Sequence, residues 1–322
     1  MVEKSESAGH PRPDSYIRGC AMHDTFNRAL TLHGVHHATV EWNVAYNCMG
    51  HNFFIEDGCE EHNLIQYNLA MRIKPASSML NTDMKAAGFW ITNTFNTIQH
   101  NHAAGGAQVG YWVNPPPSVG HAHKDGHGHF HKCPNFAPVI KWFNNTAHDM
   151  GNYGFWIFSD NPSHNYNPST TDCEKTWPPG HGHFHKGTMW NCLRGAELAN
   201  GGDNIQLQDF VVANNRLGGL SFKESFSWQH GGEFGQYFNG IVDGVVIGYA
   251  DDTLEELNST VCTRFGIETP WKKNAAMKVD GVKFFNFDKN VNPGSRDFCT
   301  AIDACYSSYP FDCGRTTQVF NV

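Results

Sequence analysis

The residues best suited to chemistry in this sequence are histidines in a heptapeptide that occurs twice. Residues 126–132 and 180–186 both read Gly-His-Gly-His-Phe-His-Lys, and two more histidines precede the first copy. Alternate side chains of an extended chain point the same way, so each copy presents three imidazoles together. Imidazole binds zinc and copper, so this spacing predicts a divalent transition-metal site. The predicted ligands are His121, His123, His127, His129, His131, His181, His183 and His185.

We expect the two copies to converge on one face and share the metal ion. Two alternatives stay open: each copy binds its own ion, or the histidines lie in polar loops that bind metals only weakly.

A run of carboxylates, Glu56-Asp57-Gly58-Cys59-Glu60-Glu61-His62, is the second candidate site. Two of these carboxylates could act as general acid and base in glycan cleavage. Several oxygen ligands in one turn could instead hold Ca²⁺. The third interpretation is a solvated turn in which Glu56 and Asp57 accept hydrogen bonds from backbone amides.

The cysteines favour an exported protein. Their number is ten, which is even, and no two form a Cys-x-x-Cys pair. Four lie near the C-terminus and are expected to form disulfides there, namely Cys262, Cys299, Cys305 and Cys313. Sequons at Asn144 and Asn258 are compatible with a secreted glycoprotein. The polar first 15 residues have no apolar signal core, so secretion requires a signal that has been removed.

Composition excludes several other classes of function. The net charge of -8 argues against a nucleic-acid partner, which would require a basic surface. No run approaches the roughly 20 apolar residues of a membrane span. Phosphate-binding glycine loops, nucleophile elbows and zinc-protease signatures are missing from the sequence.

Two repeated motifs predict how these residues are positioned. The first is an apolar residue, two free positions, Asn, one free position and Ala, and its full copies contain Asn43, Asn68, Asn101 and Asn145. Degenerate copies place other residues in the asparagine position, namely Cys20, Val211 and Gly248. The second motif is Gly, an aromatic residue and Trp, at residues 88–90, 110–112 and 154–156. Stacked units of this kind bury one continuous core, with the asparagines as a hydrogen-bonded ladder.

The repeats predict an all-β, right-handed parallel β-helix. A β-propeller is the alternative, but its blades need about 40 residues, whereas Asn43 and Asn68 are 25 residues apart. We predict a polar segment at residues 1–14, coils over 15–255 and a cysteine-rich cap at 256–322. Insertions are expected on one binding face, at residues 71–87, 114–138 and 159–204.

The aromatic pairs of the second motif must alternate between the core and the outside of the sheet. If the outward rings are exposed, they form a strip suited to sugar rings. The alternative is that other parts of the chain cover them.

Five strings of the sequence resemble those of one family of large extracellular animal proteins. They are residues 15–29, 43–47, 50–58, 80–83 and 89–93. The family comprises the cell-migration-inducing hyaluronan-binding protein, the transmembrane cell-surface hyaluronidase and fibrocystin-like proteins. The histidine-rich segments do not belong to the resemblance.

The resemblance implies parallel β-helix coils, an extracellular setting, and hyaluronan binding and depolymerisation. Its strings contain the candidate catalytic residues His51, Glu56, Asp57 and Asp83. We therefore predict a secreted protein that cleaves polysaccharide as a hyaluronidase does. One alternative is a metal-dependent enzyme of another class, such as an oxidative one, with copper, zinc or iron on the histidine segments. The other is a non-catalytic extracellular protein that binds glycans or metals. The expected partner is an extracellular polysaccharide or a small-molecule substrate.

Overall fold

The chain forms a coil of short parallel strands in a computed structural model. The structure describes residues 15–77, 81–117, 119, 134–158, 182–199, 205–223, 239–248, 265–270, 276–287, 300–303 and 316–320. Each turn of the coil gives one strand to each of three sheets, and each strand pairs in parallel with its equivalents in neighbouring turns. This arrangement confirms the predicted parallel β-helix.

The strands divide among the sheets as follows. The first sheet contains β1 (Tyr16–Arg18), β4 (Thr39–Glu41), β7 (Leu64–Gln66), β10 (Thr97–Gln99), β13 (Lys141–Phe143), β16 (Gly182–His185), β19 (Ile205–Gln208), β22 (Gly240–Val242), β25 (Ala276–Asp280) and β28 (Thr316–Phe320). The second contains β2 (Ala21–His23), β5 (Val44–Tyr46), β8 (Leu69–Ile73), β11 (His102–Gly106), β14 (Thr146–Met150), β17 (Thr188–Trp190), β20 (Val211–Ala213), β23 (Val245–Ile247) and β26 (Lys283–Phe285). The third contains β3 (Leu30–Leu32), β6 (Phe53–Ile55), β9 (Ala87–Ile91), β12 (Val109–Val113), β15 (Tyr153–Ile157), β18 (Arg194–Leu198), β21 (Gly218–Phe222), β24 (Phe265–Glu268) and β27 (Thr300–Asp303).

In the part of the chain that the structure describes, two short 3-10 helices, Asn81–Lys85 and Pro134–Phe136, interrupt the connections between strands. Among the residues that the structure describes, no helix has the length and apolar character to span a membrane.

The core runs along the inside of the coil, where side chains of different size face each other. Small residues line the second sheet, as at Ala70 and Ala103, while aromatic residues such as Phe89 and Tyr111 line the third. The alanines leave room for the large rings within one cross-section, which allows close packing. Because successive side chains of a strand point to opposite faces, the neighbours of these residues point outward.

The four asparagines form the predicted ladder at the turn between the first and second sheets. The Nδ2 of Asn43 donates a hydrogen bond of 3.0 Å to Oδ1 of Asn68. The same bond joins Asn68 to Asn101 at 3.0 Å and Asn101 to Asn145 at 3.2 Å. Each Nδ2 also donates to a carbonyl of the preceding coil, and all four side chains are buried. The predicted stacking is confirmed.

The coils continue into two segments predicted as insertions and into the predicted cap. Residues 182–198 form β16, β17 and β18, where the sequence predicts part of the insertion 159–204; Phe184 and Met189 occupy buried core positions there. The first insertion is also shorter than residues 71–87, because β8 extends to Ile73. Beyond residue 255, β24 to β28 continue the sheets into the predicted cap.

The predicted disulfide cysteines, Cys262, Cys299, Cys305 and Cys313, lie outside the described residues. Those that the structure describes, Cys20, Cys48, Cys59 and Cys192, are free thiols.

Two of the predicted insertions are joined in the chain to strands of the third sheet, whose outer face carries Trp90 and Trp112. Residues 74–86 connect β8 of the second sheet to β9 of the third, and residues 114–140 leave the third sheet after β12. One insertion therefore enters at the start of the strands and the other leaves at their end. This outer face is where the candidate residues lie.

Candidate active site on the outer face of the third sheet

The first two coils bring the candidate residues together. Arg28 and His33 flank β3, while His51 and Glu56 occupy the equivalent positions around β6, directly below them. Asp83 lies in the 3-10 helix Asn81–Lys85, which folds back beside these strands. The sequence-predicted residues His51, Glu56, Asp57 and Asp83 therefore share one region, although they differ in their exposure to solvent.

A buried ion pair forms the base of the site. The Nη2 of Arg28 lies 2.9 Å from Oδ2 of Asp83, and its Nε lies 3.4 Å from Oδ1, so the guanidinium contacts both carboxylate oxygens. The Arg28 guanidinium also lies 3.7 Å from the centroid of the Phe54 ring. Only 6% of the Arg28 side chain and none of the Asp83 side chain is exposed. The pair is therefore enclosed by protein and paired through both carboxylate oxygens.

Asp83 is held in its charged form. Burial alone would raise the pKa of Asp83, but hydrogen bonds from Arg28 and the His51 amide lower it below its usual value. The carboxylate also approaches Gly50 closely: a Cβ added there would lie 2.8 Å from Oδ1 of Asp83. Gly50 has φ of +73°, a conformation that residues with a Cβ rarely adopt. Because glycine has no Cβ, the Asp83 carboxylate can lie this close to residue 50.

His51 is a neutral, buried imidazole. Its side chain has no exposed surface, and burial lowers the pKa of His51 to about 3; Asp83 opposes this shift and Arg28 reinforces it. Its Nδ1 accepts a hydrogen bond from the Ala87 amide, which leaves the proton on Nε2, 3.7 Å from Oδ1 of Asp83. Because neither His51 nor Asp83 reaches solvent, their position fits support of the site rather than contact with substrate.

Glu56, Asp57 and His33 form the accessible part of the site. The Nδ1 of His33 lies 2.9 Å from Oε2 of Glu56 and 3.5 Å from Oδ2 of Asp57. The other oxygen of Glu56 lies 3.6 Å from Nη1 of Arg28. The exposed fractions of the side chains are 55% for His33, 29% for Glu56 and 18% for Asp57. Glu56 thus connects the buried ion pair to the surface.

The other carboxylates of the acidic segment have structural contacts. Glu60 is buried and accepts hydrogen bonds from the amides of Gly34, Asp57 and Gly58. Burial raises the pKa of Glu60, although the hydrogen bonds from the Gly34 and Asp57 amides oppose the shift. Glu61 is also buried and accepts from Asn93. The four carboxylates therefore do not converge on one point, and no described group of three His, Cys, Asp or Glu could hold a metal ion.

The predicted strip of outward aromatic rings exists, but it is covered. Phe54, Trp90, Trp112 and Trp156 occupy successive outward positions on the third sheet, and each is at most 5% exposed. The Nε1 of Trp112 donates to the Phe158 carbonyl. The Nε1 of Trp90 has no acceptor among the described residues, and its ring lies 4.5 Å from that of His51. Trp90 therefore brings a buried N–H donor close to the site.

The second copy of the histidine heptapeptide is partly a strand rather than a loop. Residues 182–185 form β16, in which Phe184 is buried opposite Trp142. His183 and His185 flank this inward residue, and their ring centroids lie 6.1 Å apart. Burial lowers the pKa of His185. The other predicted ligands, His121, His123, His127, His129, His131 and His181, lie outside the described residues.

Arg28 and His33 are the residues that sequence reasoning missed. Arg28 lies within the family-like string at residues 15–29, and both precede a named candidate by 23 residues. The same offset pairs β3 with β6, so projecting the candidates back by one coil would have found them.

Comparison with known proteins identifies the scaffold on which this site lies. Residues 1–155 match the family model described as CEMIP beta-helix. Fibrocystin-L of Mus musculus is 37% identical over 279 residues, which is 86% of this chain and 6% of that protein. The cell migration-inducing and hyaluronan-binding protein of Homo sapiens is 30% identical over 179 residues, which is 46% of this chain and 12% of that protein.

The chain thus spans a small fraction of the length of these relatives. The match includes all of β1 to β14 and the complete candidate site. The resemblance seen in the sequence is confirmed, since residues 1–155 match the CEMIP beta-helix family model.

Proposed function

We propose that this chain is a secreted protein that binds and cleaves an extracellular polysaccharide of the hyaluronan class at the third-sheet site. The observation that carries the proposal is the accessible group of Glu56, Asp57 and His33 above a buried arginine–carboxylate pair. The hyaluronan-binding relatives support this class of ligand. The exposed sequon residue Asn144 is compatible with export.

In the proposed reaction, Glu56 attacks the anomeric carbon while Asp57 gives its proton to the departing glycosidic oxygen. A water molecule then cleaves the glycosyl ester, and its proton returns to Asp57. Contacts from Arg28 and His33 stabilise the negative charge that Glu56 needs as a nucleophile. Because both carboxylates contact the same nitrogen of His33, their spacing favours the retaining geometry, about 5 Å, over the inverting one, roughly 6.5–9.5 Å.

The buried residues position this group. Asp83 fixes the guanidinium of Arg28, and the His51 amide fixes Asp83 in turn. We therefore treat Asp83 and His51 as positioning residues and keep the catalytic role for Glu56 and Asp57.

The test measures the size of hyaluronan chains after incubation with purified chain, by size exclusion with light scattering. Wild-type protein should shorten the polymer, and Glu56→Gln and Asp57→Asn should each slow cleavage by at least about a hundredfold. Asp149→Asn is the matched control, because Asp149 is also an exposed carboxylate that contacts a histidine, His148, at 2.6 Å.

Intact polymer with wild-type protein would reject cleavage, and the non-catalytic alternative would stand if hyaluronan still bound. Equal losses of cleavage rate in Glu56→Gln, Asp57→Asn and the control Asp149→Asn would reject the assignment of the site.

The metal-dependent alternative is favoured by one observation, the adjacent outward rings of His183 and His185. In this alternative the two histidine segments hold zinc or copper, and the protein has an enzymatic activity of another class. Metal analysis of purified protein tests it. Replacing His127, His129 and His131 with Ala should remove all metal from a shared site but about half from two separate sites. Wild-type protein without bound metal would reject this alternative.

A further inference from the structure

A row of bulky residues with unusual backbone geometry lies at the turn between the first and second sheets. Trp42, Tyr67 and His100 immediately precede the ladder asparagines and have φ of 56°, 54° and 55°. Large side chains rarely adopt this left-handed conformation. The same position in later coils has Asn144, Lys186, Asp209, Asp243 and Gly281. Three successive aromatic rings therefore occupy a turn position that holds Asn, Lys, Asp or Gly in the later coils.

The rings form an exposed stack on this corner of the coil. Trp42 and Tyr67 lie 4.4 Å apart with ring planes within 7°, and Tyr67 and His100 lie 4.9 Å apart within 6°. Trp42 ends the stack and is 59% exposed.

The preceding coil leaves one face of Trp42 open. Gly19 occupies the equivalent position there, and a Cβ added to it would meet no described atom within 4 Å. An open indole face of this kind suits the flat apolar face of a sugar ring.

A guanidinium belongs to the residue next to Gly19, and its Cζ lies 5.0 Å from the centroid of the Tyr16 ring. Arg18 directly precedes Gly19, and its side chain is 54% exposed. Its Nε lies 2.5 Å from Oε1 of Glu41, and the other oxygen of Glu41 accepts from Gln66 at 2.6 Å. Glu41 thereby orients the guanidinium while both of its own oxygens are occupied. The remaining N–H donors of Arg18 form a fork that matches a carboxylate.

We propose that Trp42 and Arg18 form a second saccharide site, which binds a uronic acid residue of an acidic polysaccharide. The sugar ring stacks on the open face of Trp42, and its carboxylate pairs with Arg18. The site lies at the corner between the first and second sheets, whereas cleavage is proposed on the third sheet. It therefore holds the polymer without taking part in the reaction, and Glu56→Gln leaves it intact.

The test uses fluorine NMR of protein labelled with 5-fluorotryptophan, with the Trp42 signal assigned by its loss in Trp42→Ala. A hyaluronan octasaccharide should shift this signal. The carboxyl-reduced, neutral octasaccharide should bind there roughly tenfold more weakly, and Arg18→Gln should abolish the difference between the two ligands.

Gly19→Asn provides a variant that keeps Trp42. Asparagine tolerates the positive φ of residue 19 and places its side chain over the indole, so it should weaken octasaccharide binding at Trp42 by roughly tenfold. Trp190→Ala, which removes an exposed tryptophan stacked on His148, is the control and should leave the Trp42 shift unchanged.

An unshifted Trp42 signal, or equal binding by wild type and Gly19→Asn, would overturn the proposal. Neither result depends on cleavage, so the proposed function at the third sheet could still hold. Conversely, a shifted signal in a protein that does not shorten hyaluronan would support this site and reject the proposed cleavage.

Discussion

His51 should make the protein less stable as the pH falls below about 6.5, the ordinary pKa of histidine. Burial lowers the pKa of folded His51 to about 3. Between these values the unfolded chain binds a proton that the folded chain does not, so the free energy of unfolding falls with pH. The stabilising contribution is thus fully present above pH 6.5 and is lost as the pH falls toward 3. Its slope is about 1.4 kcal/mol per pH unit, or about 2–3 kcal/mol from pH 6.5 to 4.5.

The assay is urea unfolding of wild type and His51→Gln at pH 7, 6, 5 and 4.5, followed by tryptophan fluorescence. The glutamine carbonyl can accept the Ala87 hydrogen bond that Nδ1 of His51 accepts. Wild type should lose about 2–3 kcal/mol more than the variant over this range. His23→Gln, at an exposed position, controls for the loss of one histidine. A constant difference between wild type and His51→Gln from pH 7 to 4.5 would refute the buried, neutral histidine.

Two further substitutions test the supports of the fold and the site. Asn68→Ala leaves the side-chain amide of Asn43 without its acceptor and should lower the free energy of unfolding by about 2–4 kcal/mol in urea. Asn152→Ala, which removes one long hydrogen bond of 3.5 Å, should lower it by under about 1 kcal/mol, and equal effects would contradict the ladder. Asp83→Asn leaves Arg28 buried without its carboxylate, so it should lower the free energy of unfolding by about 3–5 kcal/mol and abolish hyaluronan cleavage. If the Asp83→Asn protein were as stable and as active as wild type, Asp83 would have no positioning role in the site.

The fold could be predicted where a polar residue marks each coil. The four ladder asparagines recur in a fixed motif because each side chain hydrogen-bonds to the next. Their positions in the sequence therefore indicate which residues of neighbouring coils pair with each other. Later coils lack this marker. Val211 pairs with Thr188, and the residue in the asparagine position is Phe210, which stacks on Trp142 in the core instead. Without a recurring polar residue, the sequence does not distinguish the coil at residues 182–198 from an insertion. The right hand of the coil stays a prediction from the general preference of parallel connections.

The members of the candidate site could be predicted, but their separate positions could not. The family-like strings contain Glu56 and Asp83, yet nothing local to either string indicates which is buried. Their environments depend on the 3-10 helix that brings Asp83 to Arg28, 55 residues away in the chain. The histidine heptapeptide illustrates the same limit, because the inward position of Phe184 is set by the neighbouring coils.

Chemical rescue of Glu56→Ala by azide tests the central claim most directly, because it identifies the nucleophile of the proposed cleavage. Removing the carboxylate should slow hyaluronan cleavage by at least about a hundredfold. Added azide, small enough to occupy the space left by the side chain, should restore cleavage and appear in the product as a glycosyl azide. Asp149→Ala should cleave at the wild-type rate and form no azide adduct. Wild-type cleavage by Glu56→Ala without azide would contradict the account.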